Sequence, residues 1–356
     1  MENNSYNQKI FLLLFFFAII LLGFLCKVLS SVMLPVVTAI LLAFVFKRLP
    51  TTLYNKLKIP YLLSCIFIIF FLVVIIFSFS SLLFTSLTTI IAEYPKYETK
   101  FNTIYKLLAN KLDLKFDEGK SFFDNIWQYL QIRGLIQKLA VFLSSGLVSV
   151  AKNLILVLLL FSFLLIELTS FSQRFHKAFD SKTNNISFLS GKIVEETSRY
   201  IFIKFLISLI TGISTFLLLQ ILRVDFPIVW AFFSFLMNFI PTFGSIISVI
   251  TTTIFTLLQF YPQYGKVWIV FFGMTFINFT LGNIIEPRIE GKELGLSPFV
   301  ILVSLSLWGF IWGFVGMILA VPITVIIKIV CENIEYLNPI ATILGYTKNS
   351  KEKKIK

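Results

Sequence analysis

The chain has 356 residues, 57% of them hydrophobic, with 42 Phe and only 14% charged, where an ordinary soluble domain is roughly 25% charged. With a mean hydropathy of +0.90, this excludes the soluble globular class and makes the chain a polytopic membrane protein. The formal net charge of +13 does not imply nucleic acid as a partner, because the lysines cluster in short loops beside apolar runs, the positive-inside pattern of membrane topology.

Apolar runs of about twenty residues mark spans, since the hydrocarbon core is about 30 Å thick and a helix rises about 1.5 Å per residue. The run Ile10 to Cys26 lacks a clustered basic region and a small-residue cleavage site, so it reads as a retained helix rather than a signal peptide. Val28 to Phe46 follows, separated by little more than Lys27. The two runs form either a tight hairpin or one long helix bent near Pro35. A third span is predicted over Pro60 to Phe84. The connector before it carries Lys47, Arg48, Lys56 and Lys58 and no acid, which assigns it to the cytoplasm.

From Glu93 to Leu143 charged and apolar residues interleave. Leu107, Leu108, Leu112 and Leu114, then Ile126, Leu130, Ile132, Leu135 and Leu139, recur at helical spacing and predict two amphipathic helices in an extracytoplasmic insert. That insert is a lid or oligomer contact, or else a ligand-binding element. Leu147 to Leu168 returns the chain to the cytoplasm. The connector Thr169 to Tyr200 holds Arg174, Lys177, Lys182, Lys192 and Arg199 against Asp180, Glu195 and Glu196, and Ile201 to Leu222 spans again.

Pro227 to Phe260 would reach about 50 Å if straight, well past the bilayer core. A break is predicted at Pro241 to Gly244, because proline cannot donate to the helix ladder and glycine weakens a helix. Val267 to Ile285 spans, and Pro298 to Val330 is overlong in the same way. The basic tail Lys348 to Lys356 belongs in the cytoplasm. Glu286 to Ser297 lies outside if both overlong runs span and inside if both re-enter, and two runs that exceed the bilayer and break near their middles favour re-entry.

The fold class expected is therefore all-α: a polytopic membrane protein of about seven to eight transmembrane or re-entrant helices with an amphipathic helical extracytoplasmic insert. Its expected divisions are 1–91 for the N-terminal spans, 92–145 for the insert, 146–345 for a core with broken segments at 227–260 and 298–330, and 346–356 for the tail.

No nucleophile elbow, phosphate-cradling glycine loop or His–acid pair occurs. No catalytic residue, cofactor or metal site is expected. Cys26, Cys65 and Cys331 have no pairing pattern, and His176 sits in a polar connector. Candidate path residues fall at two places. Asn238, Pro241, Thr242, Gly244 and Ser245 flank the break in the 227–260 run, where freed carbonyls and helix ends bind ions or polar solutes, or where proline and glycine simply kink a packed helix.

Asn278 and Asn283 lead towards Glu286, Arg288 and Glu290. Glu286 is either a proton- or cation-sensitive group on a path or half of an interfacial ion pair with Arg288. Gly309, Gly313 and Gly316, with Pro322, read as close helix packing rather than ligand contacts.

The Pro241-Thr242-Phe243-Gly244 element and the block from GNIIEPRIEGKELGLSP to WGFIWGFVGMILAVP, with Pro35 and Leu49-Pro50 upstream, resemble the autoinducer-2 exporter family of bacterial permease-like membrane proteins over nearly the whole chain. Arg223-Val224-Asp225 departs from the glycine such a family carries there. The resemblance implies a multi-pass inner-membrane exporter of a small molecule such as the autoinducer-2 signal, assembled as a homo-oligomer, with a pentamer as the expected form. Sodium/proton antiport is the alternative within the family. A non-transporting envelope scaffold that binds a partner through the insert is a third reading. The lipid bilayer and a small-molecule or cation substrate are the expected partners, and the two breaks are expected to meet around one polar path.

Overall fold

The structure is a computed structural model and describes residues 20–46, 48–78, 153–167, 184–290, 295–333 and 337–345, with residues 17, 80, 81, 85, 89, 93, 97 and 100. The predicted insert, apart from residues 93, 97 and 100, lies outside the described residues, as do the basic tail and residues 169–183 of the Thr169 to Tyr200 connector. Among the described residues there are six helices long and apolar enough to cross a membrane.

The N-terminal runs do not form a hairpin. Residues 20–28 and α1 (Ser30–Phe46) make one helix, with Leu29 N donating to Leu25 O at 2.9 Å and Met33 N to Leu29 O at 2.8 Å. Lys27 is a good helix former and breaks nothing; its ammonium sits 3.4 Å from the centre of the Phe310 ring. The helices that follow are α2 (Arg48–Leu57), α3 (Tyr61–Ser78), α4 (Asn153–Glu167) and the long α5 (Asn184–Leu222).

The 227–260 run is two helices, α6 (Pro227–Met237) and α7 (Phe243–Phe260). They fold into an antiparallel hairpin: the Ser234 and Ser248 hydroxyls bond each other, and a Cβ on Gly244 would overlap the carbonyl oxygen of Met237. At about 16 Å α6 reaches only half-way through a bilayer core, whereas α7 is long enough to cross it. Its tip is a γ-turn in which Phe243 N donates to Pro241 O at 2.7 Å across Thr242, whose φ of 64° and ψ of −58° are costly for a β-branched residue.

Then come α8 (Tyr264–Phe279), a π-helical turn at Thr280–Ile285 and α9 (Glu286–Glu290). The last long helix, α10 (Pro298–Asn333), would measure about 54 Å if straight. It also folds back. Gly313 leaves the helix at φ 64°, ψ −144°, which only glycine adopts easily. Across it Ser304 donates to Ala320 O at 3.1 Å and pairs with Thr324, and a Cβ on Gly316 would overlap the carbonyl of Trp308. The short α11 (Asn338–Leu344) ends the described chain.

The chain divides into two compact units. One comprises Met1–Ile66, Leu154–Ile201 and Lys292–Lys356. Its core packs Leu41 and Cys26 against Trp312 and Leu319, with Trp312 Nε1 donating to Cys26 O at 2.9 Å. Its α10 also buries Lys328, which donates to Gly295 O at 3.0 Å and approaches Glu332 at 3.5 Å. The other comprises Phe67–Asn153 and Phe202–Gly291, with Leu219, Val224, Val249, Val270 and Met274 at its centre.

Candidate functional site

In the second unit a stripe of polar side chains runs beside the apolar core. Lys204, Ser208, Thr211 and Thr215 recur on one face of α5 and are all buried. In hydrocarbon such groups need protein partners, and an ionisable one marks function by default. The Lys204 ammonium meets the Glu286 carboxylate at 2.6 Å, with side chains only 7% and 13% exposed.

The π-turn makes that meeting possible. Glu286 N bonds Leu281 O, one residue further back than in an α-helix. Eight α-helical residues would carry Glu286 about 80° past the face of Asn278, while one residue absorbed in the wider turn brings it back to within about 20°. Glu286 thus follows the buried face of α8, formed by Val270, Met274, Asn278 and Leu281.

One turn along α5 from Lys204, the Ser208 hydroxyl accepts from Asn238 Nδ2 at 3.0 Å. Asn238 caps the end of α6, so the tip of the hairpin delivers an amide beside the ion pair's helix. Ser208 against Asn238, and Gly212 against Ala231 and Phe235, run α5 and α6 antiparallel. Gly273 against Leu218, and Glu286 against Lys204, do the same for α5 and α8.

Carried through the α6–α7 hairpin, this pairing puts Thr215, Trp230 and Thr252 at about one level. Thr215 Oγ1, Trp230 Nε1 and Thr252 Oγ1 are all buried without a hydrogen-bond partner among the described residues. Each such group costs about 1–3 kcal/mol. Thr211 and Thr256, by contrast, bond the carbonyl four residues back at 2.8 Å.

The candidate residues separate accordingly. Asn238 and Glu286 are drawn into the polar interior by Ser208 and Lys204. Asn278 is buried but donates to its own helix at Met274 O, 2.9 Å away. Gly244 is buried under Met237, Pro241 and Ser245 are half-buried, and Thr242, Asn283 and Arg288 are exposed. Glu290 ends α9, and its side chain lies outside the described residues.

Arg288, the expected sequence neighbour for Glu286, is not the partner found; Lys204 is. Gly309 lies against Met317 and Gly316 against Trp308 and Trp312, within one hairpin, and Pro322 is buried in its second arm. The 238–242 turn and Gly313 fall in different units.

Lys204 and Ser208 carry no motif. The signal for Lys204 was a lone lysine inside an apolar run, which position in the bilayer alone makes unusual. Among the described residues no three His, Cys, Asp or Glu side chains come together as metal ligands.

Comparison with known proteins gives a consistent family. The model of the AI-2E family transporter matches residues 10–335. The chain is similar to a putative transport protein of Borreliella burgdorferi, 34% identical over 324 residues, covering 90% of this chain and 86% of the relative. It is similar to the AI-2 transport protein TqsA of Escherichia coli, 28% identical over 342 residues and 95% of each chain. A putative transport protein of Haemophilus influenzae is 36% identical over 204 residues, 56% of this chain and 57% of its own.

Proposed function

The chain belongs to the AI-2E transporter family, and from that premise we propose that it is a secondary transporter moving a small polar solute along the polar interior between α5, α6, α7 and α8. The observation that carries this reading is the Lys204–Glu286 pair, 2.6 Å apart and largely buried in an otherwise apolar bundle. Opposite charges out of water make a lock that a polar solute or cation opens by competing for either partner, and the adjacent Ser208–Asn238 bond offers a second exchangeable contact. The Thr215, Trp230 and Thr252 groups, without hydrogen-bond partners among the described residues, continue the polar stripe along α5.

Basic connectors on one side of the membrane put the Lys204 end of α5 in the cytoplasm and Glu286 with it, in the inner membrane of a bacterium. The AI-2 signal is the cargo to test foremost, on the name of the Escherichia coli relative. Sodium/proton exchange is the second reading, favoured by the Glu286 carboxylate as a cation ligand.

A reconstituted screen tests the proposal: proteoliposomes carrying the full chain are given the AI-2 signal, then sodium and pH gradients in turn. Flux of one of these above protein-free liposomes is expected. No flux of any of them contradicts secondary transport and returns the scaffold reading.

A further inference from the structure

The far end of α5 from Lys204 carries a second polar site. The helix stops at Leu222, and Arg223 to Phe226 turns the chain into α6. Arg223 at φ 57° and Phe226 at φ 56° are both left-handed, a conformation that costs non-glycine residues and persists only where the surroundings impose it.

The surroundings here are explicit. Gln259, in the last turn of α7, donates Nε2 to Arg223 O at 3.0 Å and accepts Asp225 N on Oε1 at 2.8 Å. Lys100 donates to the Gln259 carbonyl, and Tyr97 donates its hydroxyl to the Asp225 carboxylate. The Tyr97, Phe226 and Phe255 rings pack on one another beneath, with centroids 5.4 to 6.2 Å apart. The turn is therefore held on both of its sides by side chains.

It borders a cavity of about 280 Å³ lined by Glu93, Gln220, Arg223, Asp225, Phe226 and Pro227, at the small end for ligand sites. Both signs of charge face this cavity. The Arg223 guanidinium is exposed and makes no ion pair among the described residues, although two carboxylates line the same space. Burial, Asp225 and Glu93 together push the Tyr97 phenol well above its ordinary range, so it remains a donor to Asp225. A guanidinium and two carboxylates lining one small open cleft suit a ligand that carries both charges.

We propose that this cavity binds a small zwitterionic solute of free amino-acid size, its carboxylate on Arg223 and its ammonium against Glu93 and Asp225. That it feeds the α5–α8 path rests on the transport reading above; the binding site itself does not.

Calorimetric titration of the full chain in nanodiscs tests it, with glycine and L-glutamine as zwitterionic probes and acetate and methylammonium as single-charge probes. Saturable binding of at least one zwitterion is expected, weakened on the order of tenfold by Arg223→Gln and by Glu93→Gln, the loss of one charged contact each. Unchanged thermal melting in both variants checks the fold. No zwitterion binding, binding indifferent to both variants, or acetate or methylammonium binding as tightly as the zwitterions overturns the site. Binding absent from a protein that still transports removes this site and leaves the transport reading standing. Binding present in a protein without flux supports the site and counts against transport.

Discussion

At the scale of single residues the account rests on Lys204 and Glu286. Removing one partner of a buried pair leaves the other charge uncompensated, at a cost of about 3–5 kcal/mol. Lys204→Met and Glu286→Gln should each lower the melting temperature of the detergent-solubilised protein markedly, while Lys204→Met with Glu286→Gln together should recover much of the loss. Additive losses in this double-mutant cycle would mean that the two side chains do not interact. Arg288→Gln, at an exposed position, should change melting by less than about 0.5 kcal/mol.

Glu286 was legible from sequence because an acid closes an apolar run. Its partner was not, because local spacing offers Arg288, whereas Lys204 stands 82 positions away and only the fold and the π-turn bring it near. Asn238 was legible through the break beside it; Ser208 resembles any small residue of a membrane helix.

At the scale of elements both overlong runs are hairpins, and their tips make distinct predictions. Gly244→Ala and Gly316→Ala force a methyl group into the carbonyls of Met237 and Trp308, so each should destabilise by about 1–3 kcal/mol or more in thermal melting. Gly265→Ala, where an added Cβ meets nothing within 4 Å in the first turn of α8, should be neutral or stabilise by up to about 1 kcal/mol. Equal effects at the three glycines would contradict the close approach.

Thr242→Gly should relieve the γ-turn and stabilise by about 1 kcal/mol, unless flux depends on the strained tip, in which case melting rises and flux falls. Length and Pro241 made the α6–α7 break readable in advance. A break near the middle of Pro298 to Val330 was expected from its length, but not its position, because Gly309, Gly313 and Gly316 at helical spacing fit a packed helix equally well. Only the ψ of −144° at Gly313 distinguishes the two. Of the two readings of the N-terminal runs the structure has the single long helix: Lys27 interrupts the hydropathy pattern but has no physical reason to end a helix.

At the scale of the whole molecule, composition gave the membrane class and helical content directly, since apolar spans in lipid must satisfy their own backbone. The number of spans was harder to read, because hydropathy does not distinguish a straight helix from a folded-back hairpin. The homo-oligomer implied by the family remains a proposal, which native mass spectrometry of the nanodisc-embedded chain tests: a pentamer is expected and a monomer contradicts it.

The central claim, that the Lys204–Glu286 pair lies on the transport path, is tested most directly by flux in proteoliposomes, with the cargo that the reconstituted screen identifies, for wild type, Glu286→Gln and Arg288→Gln at matched reconstitution. The account predicts a fall of more than about tenfold, equivalent to about 1.4 kcal/mol of barrier, for Glu286→Gln and near wild-type flux for Arg288→Gln. Wild-type flux in Glu286→Gln, or an equal loss in Arg288→Gln, would contradict it.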